Sequence, residues 1–299
     1  MSAPTSSAAP PSSTAAGRGR RSPTLLEPAK APFRRLRSDY RTLTAPLRGL
    51  PSVLLIGAQR SGTTSLFNYL VRHPAVLPPL GKEIHYFDLH YARGVRWYRG
   101  RFPFAWRLRG GGITLDASPY YLLHPLAPER AARLLPEVKL VAVLRHPVDR
   151  AFSHYQHEVR DGRETLSFEE AIEREDLRLA GEEERLRNEP GYYSFGHHRY
   201  SYTRRGLYLE QLRRWTAHFP RERLLVLQSE TLFREPAKVI GRVQDFLGLP
   251  QHRSGRYEPF YQGNYDRHIP AELRRRLVDY FEPHNRELYR WLGEEFDWT

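Results

Sequence analysis

Four short apolar runs punctuate this chain, at residues 53–56, 113–116, 140–144 and 224–228. They are nearly continuous rather than alternating, the pattern of strands covered on both faces of a parallel sheet. Elsewhere apolar residues recur at helical spacing, which predicts helices over 127–135, 148–161, 168–179, 204–219, 237–247 and 271–292. Leu207, Leu212, Trp215 and Phe219 mark the core face of one of these, and Pro136 closes another. Strands alternating with helices in this order give an α/β fold on a mainly parallel sheet of about five strands. Residues 181–202 break the rhythm, charged first and then aromatic, and read as an insertion or lid.

Two strand-to-helix junctions carry chemistry. Residues 54–70 read LLIGAQRSGTTSLFNYL: an apolar strand, a glycine-framed turn, then an amphipathic helix. Gly57 and Gly62 let the backbone turn tightly and approach an anion, while the N–H groups of the helix start point at it. Arg60 adds a fixed charge, and Ser61, Thr63, Thr64 and Ser65 add hydroxyls. A nucleotide triphosphatase loop needs Lys after its second Gly. Here Thr63 stands in that place and the cation has moved to Arg60. Residues 139–155, KLVAVLRHPVDRAFSHY, repeat the strand–turn–helix order. A magnesium-dependent triphosphatase is expected to end this strand in a metal-holding Asp, but Arg145, a ligand for an anion, stands there. Pro147 is a favoured helix start, and Ser153 follows about two turns in, on a path to the same anion. Two anion sites at two strand ends suit a nucleotide with separated charged groups, such as a bisphosphorylated adenosine.

These residues resemble the sulfotransferases that use 3′-phosphoadenylyl sulfate (PAPS). GAQRSGTTSL is similar to that family's 5′-phosphosulfate loop, and LRHPVDRAFSHY to its 3′-phosphate site. The block Gly81-Lys82-Glu83-Ile84-His85-Tyr86-Phe87-Asp88 is similar to the K-E-x-H-[FY]-F-D segment of the heparan sulfate and related glycan sulfotransferases. Gly94-Val95-Arg96-Trp97-Tyr98, Pro119-Tyr120 and Phe296-Asp297-Trp298 follow in the same order, so the resemblance covers roughly residues 50–299. It implies a P-loop-like three-layer α/β/α fold, with PAPS as co-substrate and no metal required. It also implies in-line sulfuryl transfer to a hydroxyl or amine, with carbohydrate favoured as acceptor. By resemblance Glu83 is the general base, Lys82 and Tyr120 lie on the acceptor side, and Arg145 and Ser153 hold the 3′-phosphate. Arg60 stands where many members place a catalytic Lys; it keeps the charge but cannot donate a proton, so it stabilises the leaving group or simply grips the nucleotide. His85 either orients the acceptor and supports Glu83 or is a packing histidine. Two departures stand out. Ala117 occupies the place of an acceptor-side Lys, in Asp116-Ala117-Ser118-Pro119-Tyr120. A C-terminal K-G-R nucleotide loop is missing, with Tyr265 and Arg267 near its place.

Composition bounds the rest. The 299 residues suffice for one large domain, expected at 49–299 behind a Ser/Ala/Pro-rich and basic tail at 1–48. There is no cysteine, which excludes a disulfide scaffold, a thiol nucleophile and a Cys-bound metal. No run of about eighteen apolar residues suggests a membrane span, no apolar signal core is read near the N-terminus, and a cytoplasmic protein is expected. The net charge of +13 suits an anionic donor. The arginines of 18–41 form a solvated tail, or one that touches nucleic acid or an anionic membrane; no specific nucleic-acid partner is expected. His154, His157, His197 and His198 lack a carboxylate set at metal-ligand spacing and read as loop and helix-surface histidines. A P-loop kinase or NTPase and a non-catalytic polyanion-binding protein are the competing classes.

Overall fold

The computed structural model describes residues 39–253, 255, 257, 258 and 268–298. The chain divides between Tyr40 and Arg41, and the unit from Arg41 onward holds every element below. It takes in residues 41–48, which the sequence reading assigns to the tail: Ala45 and Arg48 are buried, and Arg48 Nη1 donates to Phe102 O at 2.9 Å.

At its centre is a parallel sheet of four strands, one fewer than expected, in the order β2-β1-β3-β4: β1 Val53–Gly57, β2 Leu115–Ala117, β3 Lys139–Leu144 and β4 Leu224–Gln228. The pleat splits each continuous apolar run between two cores. Leu54, Ile56, Leu140, Ala142, Leu144 and Val226 face one side, while Val53, Leu55, Val141, Val143 and Leu227 face the other. Six helices of eight residues or more are described: α1 Thr63–Leu70, α2 Ala127–Leu134, α3 Pro147–Arg160, α4 Tyr208–Thr216, α5 Pro236–Leu247 and α6 Ala271–Leu292. Helices α2 and α4 cover the first face and α1 and α5 the second, making three layers. A third apolar cluster ties α3 to α6 through Phe152, Tyr155, Leu277 and Phe281.

Two expected helices are interrupted. The 168–179 helix is two short ones, Phe168–Glu173 and Glu175–Leu179. The break turns Glu175 inward, where its carboxylate accepts from Thr203 N, Thr203 Oγ1 and Arg204 N at 2.7–2.9 Å. The 204–219 helix begins as the 3-10 turn Arg204–Gly206 before α4. Gly206 lies so close to α6 that a Cβ there would fall 2.6 Å from the Phe281 ring, so the chain bends where a regular helix would collide. The 181–202 segment folds into the helices Glu182–Asn188 and Phe195–Arg199.

Strand order locates the site. From β1 the chain adds β2 on one flank and β3 on the other, so β1 and β3 meet where the winding reverses. The crevice beyond the carboxyl ends of strands at such a switch point is where open α/β sheets bind ligands.

Candidate active site

Both predicted anion-binding junctions open into that crevice. Gly57 ends β1 against the turn Pro119–Leu122, where a Cβ would lie 2.6 Å from Leu122 Cβ. Gly62 caps α1 at φ 91°, in the left-handed region that glycine adopts without strain. The loop between them brings Arg60 Nε to Ser153 Oγ on α3 at 3.0 Å, and Arg145 Nη1 reaches the Arg60 carbonyl at 3.4 Å. Thus Arg60, Arg145 and Ser153, far apart in sequence, come together. Ser61, Thr63 and Ser65 are buried, Thr64 is half-buried, and the Ser61 hydroxyl has no hydrogen-bond partner among the described residues. Arg150, which the sequence reading overlooked, is fully buried in α3. Its Nη2 donates to Tyr202 O, while Nε and Nη1 have no partner among the described residues. Burial, with the like charges of Arg145 and Arg60, holds its guanidinium down to about 10. A buried hydroxyl without a partner, converging guanidinium groups and the start of α1 together fit a phosphate- or sulfate-bearing ligand.

The strand end behind Arg145 is braced. Tyr208 OH donates to Arg145 O at 2.7 Å, and His146 N donates to Glu230 Oε1 at 2.9 Å. Trp298 Nε1 donates to the other Glu230 oxygen at 3.1 Å. One carboxylate therefore ties the Phe296-Asp297-Trp298 segment to the residue after Arg145.

The 82–88 block docks on the end of β2, with Glu83 N donating to Ala117 O at 3.1 Å and His85 N to Ser118 Oγ at 3.0 Å. Lys82 Nζ meets Glu83 Oε1 at 2.8 Å, and His85 Nε2 lies 3.3 Å from Glu83 Oε2. His85 Nδ1 is 2.8 Å from Asp88 Oδ2, whose side chain is shut off from solvent. His85 is thus held between two carboxylates. Burial works against its charge, but the Asp88 and Glu83 carboxylates outweigh it and raise its pKa to about 10. Burial likewise opposes the Glu83 charge, yet the His85 hydrogen bond and Lys82 bring that carboxyl down to about 2. Glu83 remains about half exposed, so solvent shares in its stabilisation. Arg60, Glu83 and His85 have φ of 69°, 61° and 54°, and are the non-glycine residues at positive φ among the described residues. Side chains seldom occupy this region unless their surroundings hold them there, and functional sites are where such strain collects.

Asp116, at the middle of β2, organises the block from beneath. It accepts from Tyr98 OH at 3.0 Å, Tyr121 OH at 2.8 Å and Ser118 Oγ at 2.9 Å. Tyr121 OH accepts in turn from Tyr86 N at 2.7 Å, and Ser118 Oγ accepts from His85 N. Burial outweighs the three hydroxyl donors and pushes the Asp116 carboxyl up to about 6.

Tyr120 is placed differently from expectation. It is buried, its hydroxyl lies 2.7 Å from His197 Nδ1, and its ring stacks on His198 at 4.3 Å between centroids. It shapes the wall behind the site. His197 and His198 are correspondingly buried rather than surface histidines, and His198 packs edge-on to His85. His154 is also buried, whereas His157 is half-buried. The 181–202 segment therefore borders the 82–88 block. Tyr265 and Arg267 lie outside the described residues. Asp88 and Asp116 were overlooked as well. Asp88 could have been found from its spacing to His85, one turn on; Asp116 carries little local signal, because its role depends on a tyrosine from another segment, Tyr98, as well as on Tyr121 and Ser118.

Residues 50–262 match the model of the sulfotransferase domain. Human heparan sulfate glucosamine 3-O-sulfotransferase 6 is 31% identical over 274 residues, covering 84% of this chain and 74% of that protein. Mouse heparan sulfate glucosamine 3-O-sulfotransferase 3B1 is 31% identical over 272 residues, covering 83% of this chain and 65% of that protein. Among solved structures, a sulfotransferase from Alicyclobacillus acidocaldarius superposes with a TM-score of 0.66 at 28% identity, covering 83% of this chain and 98% of its own. With the anion cradle at the switch point and a family match over most of its length, the chain belongs to the sulfotransferase domain family.

Proposed function

We propose that this sulfotransferase uses PAPS and passes its sulfuryl group to a hydroxyl or amine of a carbohydrate acceptor, with Glu83 as general base. The observation that carries the reading is the meeting of Arg60, Ser153 and Arg145 at two adjacent strand ends. That pair of anion sites fits a donor with a 5′-phosphosulfate and a separate 3′-phosphate. Glu83, on the next strand end, supplies the acceptor side. In the transfer, the acceptor oxygen or nitrogen forms a bond to sulfur as the sulfur–oxygen bond to the donor phosphate breaks. The acceptor proton passes to Glu83, and the departing phosphate keeps the electron pair under the Arg60 guanidinium. His85, fixed by Asp88, aims the Glu83 carboxylate. The Ser61, Thr63, Thr64 and Ser65 hydroxyls and Gly62 line the 5′ end, with Tyr265 assigned to the nucleotide. Lys82 and Tyr120 bound the acceptor side, Tyr120 by shaping its wall. A cytoplasmic location is part of the proposal.

Calorimetric titration with adenosine 3′,5′-bisphosphate, with ATP as control, tests the donor half. Micromolar bisphosphate binding, weak ATP binding and a loss of about 1.5–3 kcal/mol in Arg145→Ala are expected. Equal or tighter ATP binding, indifferent to that substitution, would move a P-loop kinase to the front. Transfer of label from PAPS to a panel of glycans tests the acceptor half.

A further inference from the structure

The sulfotransferase site leaves one surface unexplained. Between residues 93 and 109 stand Arg93, Arg96, Arg99, Arg101, Arg107 and Arg109, with no acidic residue in the stretch. None of the six makes an ion pair among the described residues, although surface arginines elsewhere commonly do, as Arg133, Arg185 and Arg276 show. Arg93, Arg96, Arg107 and Arg109 are exposed. The Arg93 and Arg101 guanidinium groups lie 5.0 and 4.2 Å from the Trp97 ring centre. Burial and the like charge of Arg93 lower the Arg101 pKa, as expected where positive charge is not neutralised.

The same surface exposes apolar side chains. Trp106 is 51% exposed and Val95 41%, and on the adjoining segment Leu43 is 81% and Leu47 57% exposed. Backbone and ring contacts join these pieces: Arg41 Nη1 donates to Gly100 O at 2.9 Å, Arg48 lies 4.1 Å over the Phe104 ring, and Phe104 stacks on Trp106 at 4.1 Å. Four of the molecule's large exposed hydrophobic residues thus share one neighbourhood with six unpaired arginines. A soluble polyanion would use the arginines and leave the leucines and tryptophan in water. The interfacial zone of an anionic bilayer takes both, apolar tips into the acyl boundary and guanidinium groups onto phosphates.

We propose that residues 41–48 together with 93–109 form a docking face for an anionic lipid surface. Leu80 N donates to Arg101 O at 2.7 Å, three residues before Glu83, so the catalytic block rises from the rim of this face.

Flotation of the full chain with vesicles of phosphatidylcholine alone, or of phosphatidylcholine with phosphatidylglycerol, tests this. Two variants accompany it: Arg96→Glu/Arg107→Glu/Arg109→Glu and Val95→Ser/Trp106→Ser, each checked for unchanged folding and bisphosphate binding. Both keep the basic N-terminal residues, so any loss belongs to the face. The wild type should bind only the phosphatidylglycerol vesicles, and the charge variant more than about tenfold more weakly. The apolar variant should bind about threefold to tenfold more weakly even at about 0.5 M salt, where exposed charges are screened. Absence of binding to phosphatidylglycerol vesicles would overturn the proposal, as would binding indifferent to both variants. So would a loss confined to the charge variant and matched on dextran sulfate or nucleic acid, which would mark a soluble-polyanion site.

Discussion

The three side chains of Glu83, His85 and Asp88 form a line of alternating charge that begins at the half-exposed Glu83 and ends in a buried carboxylate. A carboxylate held down to about 2 is ionised across the working range, so its value as a base lies in placement more than in strength. Glu83→Gln should therefore lower kcat by about 10²–10⁴ and leave bisphosphate affinity unchanged, as transfer assays and calorimetry would show. The pH dependence follows from the two shifts. His85, raised to about 10, contributes stability that is complete below its ordinary 6.5 and is lost as pH rises through about 10. Glu83, depressed to about 2, contributes stability that is present above 4.5 and lost as pH falls toward about 2. Asp88→Asn removes the partner that raises His85 most, so the alkaline limb of kcat/KM should move from about 10 toward neutrality. The imidazole resonances of His85 would report the same shift; a limb that stays in place would exclude His85 from the profile. At this scale the sequence was informative where a residue's place is local: Arg60 and Arg145 stand at the two strand ends expected of them. It put Tyr120 on the acceptor side and missed its burial against His197, because a tyrosine in a turn looks the same whether its hydroxyl meets a ligand or a buried imidazole.

Among elements, β2 does more than its three residues suggest. Through Asp116 it gathers hydroxyls from Tyr98, Ser118 and Tyr121, and through two of these it holds the amides of His85 and Tyr86. Asp116→Ala strips three buried hydroxyls of their acceptor and should lower stability by about 2–4 kcal/mol, read from urea unfolding. Asp116→Asn, which keeps an acceptor oxygen, should recover part of the stability while kcat stays low through the displaced 82–88 block. The regular elements themselves were legible: β4 and α6 have the expected bounds, and β1 and β3 differ from expectation by one residue at an end. The interruptions at Arg174 and Leu207 were not, since each answers to a distant partner, Thr203 for Glu175 and Phe281 for Gly206. Helical periodicity describes one element's face and carries no record of what lies against it.

For the whole molecule, the donor should act as a clamp across the sheet, because its two anion sites belong to the ends of β1 and β3. Adenosine 3′,5′-bisphosphate at about a hundred times its Kd should add about 2.7 kcal/mol of stability, raising Tm by about 5–10 °C. The same concentration should do far less for Arg145→Ala in a thermal scan. The layered architecture was readable from the order of apolar runs, whereas the charged and apolar surface over 93–109 emerged only once residues 41–48 had folded beside it. The left-handed backbone at Arg60, Glu83 and His85 has a different kind of consequence. Glycine would relieve the backbone at each position, but at Glu83 and His85 it would also remove their ion pairs. At Arg60 it would relieve like charge around Arg150 too, so Arg60→Gly should raise stability by about 0.5 kcal/mol in urea unfolding while abolishing transfer. A library of this protein selected for heat resistance alone would therefore drift toward glycine or asparagine at position 60. Its survivors would be sturdier proteins that had forgotten their reaction.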